Sequence, residues 1–254
     1  LTGSRKFEAA GDRSQSVYPS AFRWEELRRL VHETLDINPG EQQHLVVNFR
    51  ATPHLVEAAN WVLKEHSEVE HVVLKMLQRP AAEHTGDIPA LIRADKDELL
   101  DYLKEQGLPN AFCPLLVRDP NLRKELRVRL DSVHILTIPG CKGLEYQNVI
   151  IWDPYWGSNR ILDRYYHHVR GSQLKGKKDQ SLLLEFRHLF VGITRARYRL
   201  AIIMDGPTLE EDTGSITSAI EHMASLDLFG IRAVSELSLF NLEHISAEDY
   251  IERA

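Results

Sequence analysis

Two arginines in this 254-residue chain stand at the junctions of secondary-structure elements, where a side chain can reach a bound phosphate. Residues 185–204 predict a helix, a Thr-Arg-Ala-Arg turn and a buried strand, which places Arg195 at the edge of a sheet. Arg50 ends an apolar segment and precedes Thr52 and Pro53, which predict a helix start with Thr52 as its N-cap. A guanidinium holds five donors in a rigid fork that fits phosphate oxygens. Both arginines are therefore candidate nucleotide ligands.

Two further segments combine glycines with polar side chains. In residues 11–18, GDRSQSVY, a Gly-Asp turn at the end of a short strand places Gln15 at the carboxyl edge of a sheet, where open α/β sheets bind ligands. In residues 136–146, LTIPGCKGLEY, the glycines allow a tight turn close to a ligand. Thr137 can donate to a nucleic-acid phosphate, and Glu145 can accept from a ribose hydroxyl or from water on Mg²⁺.

These segments occur in an order that resembles motifs III to VI of the UvrD/Rep-type superfamily 1 helicases. Residues 11–18 resemble GDxxQSIY, residues 46–52 (VVNFRAT) resemble NYRS or NFRS, residues 137–146 resemble TxHxAKGLEF, and residues 191–196 (VGITRA) resemble the last motif. The chain has Pro139 where the family has histidine, which removes a side-chain donor and a backbone N–H.

The resemblance implies a role for each matching residue. Gln15 senses the terminal phosphate of ATP, Arg50 binds the γ-phosphate, and Arg195 acts as an arginine finger that Thr194 orients. The implied ATP site also includes Phe49, near the adenine ring, and the loop residues Gly143 and Glu145. Tyr18 stacks on a base of a single strand, and either Phe22 or Trp24 takes a second stacking position, with a purely structural role for Trp24 as the open alternative. Thr137 completes the implied nucleic-acid contacts.

The implied activity is ATP-dependent movement along single-stranded DNA, with ATP and Mg²⁺ held mainly by an N-terminal RecA-like domain of the same protein. The family carries its phosphate loop and its acidic DExx motif before motif III, and this chain contains neither. We therefore expect the chain to be the C-terminal portion of a helicase that is inactive as an ATPase alone. The alternatives are a helicase-like module that senses nucleotide or binds protein without unwinding, and a relative that acts on RNA.

The elements that must position these residues alternate between strands and helices, which predicts an α/β fold of the RecA-like type, with a mostly parallel sheet flanked by helices and no phosphate loop of its own. The interpretation assigns residues 1–40 to the end of the first RecA-like domain, 41–210 to the second, with a loop insertion at about 154–180, and 211–254 to a C-terminal helical extension.

The predicted helices cover 24–35, 95–106, 121–130 and 215–224, besides those that begin near 53 and 185. The predicted strands cover 6–10, 44–49, 72–76, 111–117, 134–138 and 149–152, and residues 79–90 are predicted as a loop. Only 87 positions separate Arg50 from Thr137, so a large accessory domain between them is not expected.

Composition bounds these predictions. The hydrophobic content of 43% and charged content of 27% are typical of a soluble globular protein, and no apolar run is long enough to span a membrane. The net charge of −6 excludes general polyanion binding, so nucleic-acid contacts must be local. Residues 160–178 concentrate basic and aromatic side chains that could follow a single strand or form a solvated loop. Cys113 and Cys141 predict buried thiols, no metal site is expected, and we expect a cytoplasmic or nuclear protein.

Overall fold

The computed structural model describes residues 24–36, 45–70, 77–81, 86–153, 180–205 and 227–241. Several predictions therefore lie outside the described residues. They comprise Gln15, Tyr18 and Phe22, the strands at 6–10 and 72–76, the basic insertion and the helix at 215–224.

Eight strands are described, all in parallel pairings. Strands β1 (Val47–Asn48) and β2 (Arg79–Pro80) form a separate two-stranded sheet. The main sheet has six strands in the order β5-β4-β6-β7-β3-β8. These are β3 (Ala90–Ala94), β4 (Leu115–Val117), β5 (Ile135–Thr137), β6 (Tyr146–Trp152), β7 (Ala196–Asp205) and β8 (Gly230–Arg232).

Helices cover both faces of the main sheet. The helices of the described residues are α1 (Trp24–Leu35), α2 (Pro53–Glu70), α3 (Lys96–Glu105), α4 (Pro120–Leu130) and α5 (Gln180–Ile193), with 3-10 helices at Pro139–Cys141 and Val234–Phe240. One core contains the buried faces of α2 and α5, and the other contains those of α3, α4 and the second 3-10 helix. The predicted α/β fold, a mostly parallel sheet flanked by helices, is confirmed.

The central strands are apolar on both sides because both faces of the sheet are covered. Along β6, Val149 and Ile151 enter the core beneath α2 and α5, whereas Ile150 and Trp152 enter the core beneath α3 and α4. This alternation with a period of two explains why the segment reads as one continuous apolar run in the sequence.

Most predicted helices have the predicted bounds. Helix α1 covers the predicted residues 24–35, and α3 begins one residue after Asp95, whose carboxylate accepts from the N–H groups of Asp97 (2.8 Å) and Glu98 (3.4 Å). An acceptor at this position satisfies donors that the first turn of a helix leaves unpaired. Both cysteines are buried free thiols, as predicted.

The predicted cap of α2 is wrong. The Thr52 hydroxyl is buried and has no hydrogen-bond partner among the described residues. The side-chain oxygen of Asn48 instead accepts from the N–H groups of Arg50 (2.9 Å) and Ala51 (3.0 Å), and so turns the chain from β1 toward α2.

Strands β2, β3 and β8 were not predicted, and β2 begins the segment predicted as a loop. Strand β3 lies between the predicted loop at 79–90 and the helix at 95, and it pairs with both β7 and β8. Strand β8 extends the main sheet to residues 230–232, beyond the boundary predicted at residue 210. In the described part of the chain, no helix is both long and apolar enough to cross a membrane.

Candidate functional site

Three polar residues meet at the edge of the main sheet where β6 and β7 begin. Glu145 directly precedes β6, and Arg195 directly precedes β7. The first residues of the two strands, Tyr146 and Ala196, are paired, so their preceding residues lie side by side. Arg50, two residues after β1, reaches the same place, because the Thr52 N–H donates to the Arg197 carbonyl at 3.1 Å. The fold thus gathers both predicted phosphate-binding arginines at this amino edge.

Arg195 is almost completely buried, with 2% of its surface exposed. Its Nε donates to the Val191 carbonyl (3.1 Å), its Nη1 to the Leu144 carbonyl (2.9 Å), and its Nη2 to the Thr194 hydroxyl (3.1 Å). The Thr194 hydroxyl in turn donates to the Val191 carbonyl at 3.1 Å. The last turn of α5 therefore holds the guanidinium in a fixed orientation, and Thr194 makes the contact predicted for it.

Arg50 is held less tightly, and 30% of its side chain is exposed. Its Nη1 forms an ion pair with Glu145 Oε1 at 2.5 Å, and its Nη2 donates to the Thr194 carbonyl at 3.3 Å. Its Nε is buried without a hydrogen-bond partner among the described residues. Thr194 is thus common to both arginines, with its carbonyl facing Arg50 and its hydroxyl facing Arg195.

Glu145 belongs to an exposed loop, residues 142–145, that crosses the amino edge between the two arginines. Gly143 has a φ of +84°, and a Cβ added there would meet no atom within 4 Å. This left-handed conformation favours glycine, and the open space leaves room for a ligand or for movement. Below the loop, burial raises the pKa of the Cys141 thiol to about 11, although the nearby charge of Arg195 lowers it.

The remaining predicted site residues lie elsewhere or only partly within the described residues. Thr137 ends β5 at the opposite, carboxyl edge, where its hydroxyl accepts from the Gly140 N–H at 3.3 Å. Phe49 lies next to Arg50 with 73% of its surface exposed. Trp24 is the first residue of α1, and its side chain lies outside the description. The structure therefore groups Phe49, Arg50, Gly143, Glu145 and Arg195, and separates them from Thr137.

Sequence reasoning missed a buried polar network on α5. Arg118 follows β4, and its Nε and Nη2 donate to the two carboxylate oxygens of Glu185 at 3.0 and 2.9 Å. His188, one turn later on α5, lies 3.9 Å from the same carboxylate. Desolvation by burial, followed by the charge of Arg118, lowers the pKa of His188 to about 4, against the opposing effect of Glu185. The sequence does contain a signal for this network, because Glu185 and His188 lie three positions apart on the apolar face of the predicted helix.

Comparison with known proteins finds a match for the segment that contains Glu145, Thr194 and Arg195. Residues 115–205 match the family of UvrD-like helicase C-terminal domains. No curated protein matches the chain. A similar solved structure is that of the C-terminal domain of a possible DNA helicase from Lactobacillus plantarum WCFS1, with 14% sequence identity, a TM-score of 0.41, and coverage of 72% of this chain and 98% of that one.

The segment that matches this domain family runs from β4 to β7 and contains Thr137, Gly143, Glu145 and Arg195. Arg50 precedes the matched segment, yet its two contacts, with Glu145 and with the Thr194 carbonyl, both fall within it. The amino-edge site is therefore formed by this domain together with the segment that connects β1 to α2.

Proposed function

We propose that this chain provides the second RecA-like domain of an ATP-dependent superfamily 1 DNA helicase or translocase, in which Arg50 and Arg195 respond to the nucleotide. The observation that carries the proposal is the convergence of both arginines on Thr194, through its carbonyl and its hydroxyl. Two guanidinium groups that contact the same residue at one edge can form an anion-binding arrangement. The match of residues 115–205 to UvrD-like helicase C-terminal domains supports the terminal phosphates of ATP as that anion.

The two arginines would perform different parts of the task. Arg50 is partly exposed and can exchange its carboxylate partner for a phosphate oxygen. Arg195 faces three protein oxygens, so its guanidinium must leave at least one of them to reach a phosphate. A cation that contacts the transferred phosphoryl group only as the cleft closes stabilises the charge that develops in the transition state. Arg195 is then an arginine finger that is withdrawn until the domains close.

ATP and Mg²⁺ would be held mainly by the N-terminal RecA-like domain of the same protein, which is the principal partner of the amino edge. Gln15 would sense the terminal phosphate, Phe49 would pack near the adenine ring, and Gly143 would allow the nucleotide to approach the loop. Closure of the two domains around ATP, followed by opening after hydrolysis, would supply the mechanical step.

Single-stranded DNA would bind away from the nucleotide. Thr137 lies at the carboxyl edge of β5, and its hydroxyl accepts one hydrogen bond from the Gly140 N–H while keeping its own proton to donate to a phosphate. Tyr18, with Phe22 or Trp24, would stack on successive bases. Nucleotide and nucleic acid thus occupy opposite edges of one sheet, so that closing the first edge can displace the second.

The decisive experiment measures ATPase activity stimulated by single-stranded DNA in the full-length protein. We expect Arg195→Ala to lower kcat about 10³-fold and Arg50→Ala about 10²-fold. Arg197→Ala is the matched control, since Arg197 is exposed two residues after Arg195 and should leave kcat unchanged. The 254-residue chain alone should show no turnover. Wild-type rates in both arginine variants would refute the proposal.

A second function is favoured by the burial of Arg195: a helicase-like module that senses nucleotide without unwinding. A finger bound by three protein oxygens suits a domain that changes conformation with ATP but seldom hydrolyses it. Strand separation of a tailed duplex distinguishes the two functions. A full-length protein that binds ATP and single-stranded DNA yet separates no strands would favour the sensing module.

A further inference from the structure

We infer that Glu145 competes with the nucleotide phosphate for Arg50, and that the loop at residues 142–145 acts as a clasp that holds both arginines until ATP displaces it. This inference rests on the proposed function, in which Arg50 binds a phosphate of ATP. It gives Glu145 a regulatory contact within the protein, in place of the contact with ribose or with metal-bound water that the sequence predicts.

The contact between Arg50 and Glu145 has the chemistry of a phosphate mimic. A carboxylate oxygen lies 2.5 Å from Arg50 Nη1, at the position where an anionic phosphate oxygen would bind a guanidinium. The side chains are 30% and 42% exposed, so a phosphate can approach from solvent. Exposed ion pairs contribute little to stability, which makes the exchange of Glu145 for a more highly charged phosphate favourable.

The Arg118–Glu185 pair shows what a permanent ion pair looks like in the same domain. It uses two guanidinium nitrogens and both carboxylate oxygens, and Glu185 is only 5% exposed. The Arg50–Glu145 pair uses one nitrogen and one oxygen on an exposed loop. The Arg118–Glu185 pair joins α5 to the end of β4, whereas the Arg50–Glu145 pair is exposed enough for Arg50 to exchange Glu145 for another anion.

The same loop also holds Arg195. The Leu144 carbonyl accepts from Arg195 Nη1 at 2.9 Å, and Leu144 is the immediate neighbour of Glu145. Four consecutive residues, 142–145, are exposed, and Gly143 adopts a left-handed conformation with open space around it. If Glu145 is displaced from Arg50, the adjacent Leu144 carbonyl, which accepts from Arg195, therefore moves with it. Binding of a phosphate to Arg50 would thus release Arg195 Nη1 from its hydrogen bond, through the neighbouring residues Glu145 and Leu144.

Glu145→Gln tests the competition because it keeps the size and the acceptor oxygen while removing the charge. With the full-length protein, we expect the variant to bind the non-hydrolysable analogue AMP-PNP about two- to fivefold more tightly, since the apparent affinity rises with the fraction of Arg50 that is available. The gain should vanish in the Arg50→Ala background. Glu125→Gln is the matched control, because it removes the carboxylate from another partly exposed ion pair, with Lys96 on α3, far from the arginines.

The outcomes separate the two ideas. Weaker or unchanged binding of AMP-PNP by Glu145→Gln would contradict the inferred competition. Weaker binding would indicate that Glu145 contacts the nucleotide directly. If Arg50→Ala changes neither affinity nor turnover, the proposed function itself fails, whatever Glu145→Gln does. Hydrogen exchange of a peptide covering residues 142–146 tests the link to Arg195. Faster exchange on adding AMP-PNP supports release of the loop, and unchanged exchange contradicts it.

Discussion

At the scale of single residues, Arg50 and Arg195 both contact Thr194, but they differ in burial and in their partners. Arg195 is 2% exposed and its three nitrogens donate to protein oxygens, so its charge also organises the end of α5 and the adjacent loop. Arg50 keeps 30% of its side chain exposed and one carboxylate partner. The first arginine contributes to folding as well as to the site, and the second belongs mainly to the site.

This contrast predicts different costs of truncation. Arg195→Ala should lower the free energy of unfolding by about 3 kcal/mol, because it removes three hydrogen bonds of a buried side chain and opens a cavity. Arg50→Ala should cost less than about 1 kcal/mol, because its ion pair is exposed to solvent. Urea unfolding of the two variants, followed by circular dichroism, measures both values. Equal losses would show that the burial of Arg195 does not contribute to stability.

The sequence predicts where these arginines stand but not what they touch. The helix-turn-strand pattern around Arg195 and the apolar segment before Arg50 place both at element ends, as observed. The acceptors of Arg195 include the carbonyl groups of Val191 and Leu144, which every residue type carries. Because backbone acceptors leave no compositional signal, the burial of Arg195 could not be read from the sequence.

At the scale of elements, α5 connects the two edges of the sheet. Its first turns carry Glu185 and His188 against Arg118 at the carboxyl end of β4, and its last turn leads into Thr194 and Arg195 at the amino edge. Arg187 on its other side donates to His66 of α2 at 3.2 Å. A helix fixed at both ends can transmit a displacement from one edge to the other.

The polar network on α5 predicts a pH dependence of stability. The folded pKa of His188 is about 4, below the value of about 6.5 expected in the unfolded chain. Between these values the unfolded state binds the extra proton, so stability falls as the pH is lowered from 7 to 5, by about 2 kcal/mol for this group. His188→Gln should remove that part of the slope, measured by urea unfolding at a series of pH values.

Histidine 32 provides the control for this prediction. It is exposed on α1, so His32→Gln makes the same substitution outside the buried network. A slope that is the same in the wild type and in His188→Gln would contradict the assignment, because the proton would then be taken up by other groups.

Element prediction succeeded where local signals were strong and failed where pairing decides the structure. Asp95 gives a clear helix start, and α3 begins directly after it. Strand β3 has five residues, and only its position between β7 and β8 shows that it lies inside the sheet. Thr52 directly precedes α2, yet its hydroxyl makes no capping hydrogen bond with any residue that the structure describes, and Asn48 instead fixes the turn before the helix.

At the scale of the whole molecule, the proposed DNA contact and the proposed nucleotide contacts lie at opposite edges of the main sheet. The segment from Thr137 to Glu145 joins the carboxyl end of β5 to the amino end of β6. Ile138 and Cys141 of this segment are buried in the core beneath α2 and α5. One continuous segment therefore has the proposed DNA contact at its first residue, a buried middle, and the clasp at its last.

The last described residues belong to this same folded unit, which predicts the consequence of disturbing them. Phe240 is 4% exposed in the core beneath α3 and α4, its carbonyl accepts from Asn148 of β6 at 3.3 Å, and β8 pairs with β3 nearby. Phe240→Ala should lower the free energy of unfolding by about 3 kcal/mol, because it leaves a cavity in the core. Leu239→Ala is the matched control. Leu239 is the neighbour of Phe240, its side chain is 50% exposed, and its truncation should lower the free energy of unfolding by less than about 0.5 kcal/mol.

Thermal unfolding should show one transition that shifts in Phe240→Ala alone. If the main transition does not move, residues 230–241 would be an independent attachment, and the domain would end near residue 210 as the sequence predicts.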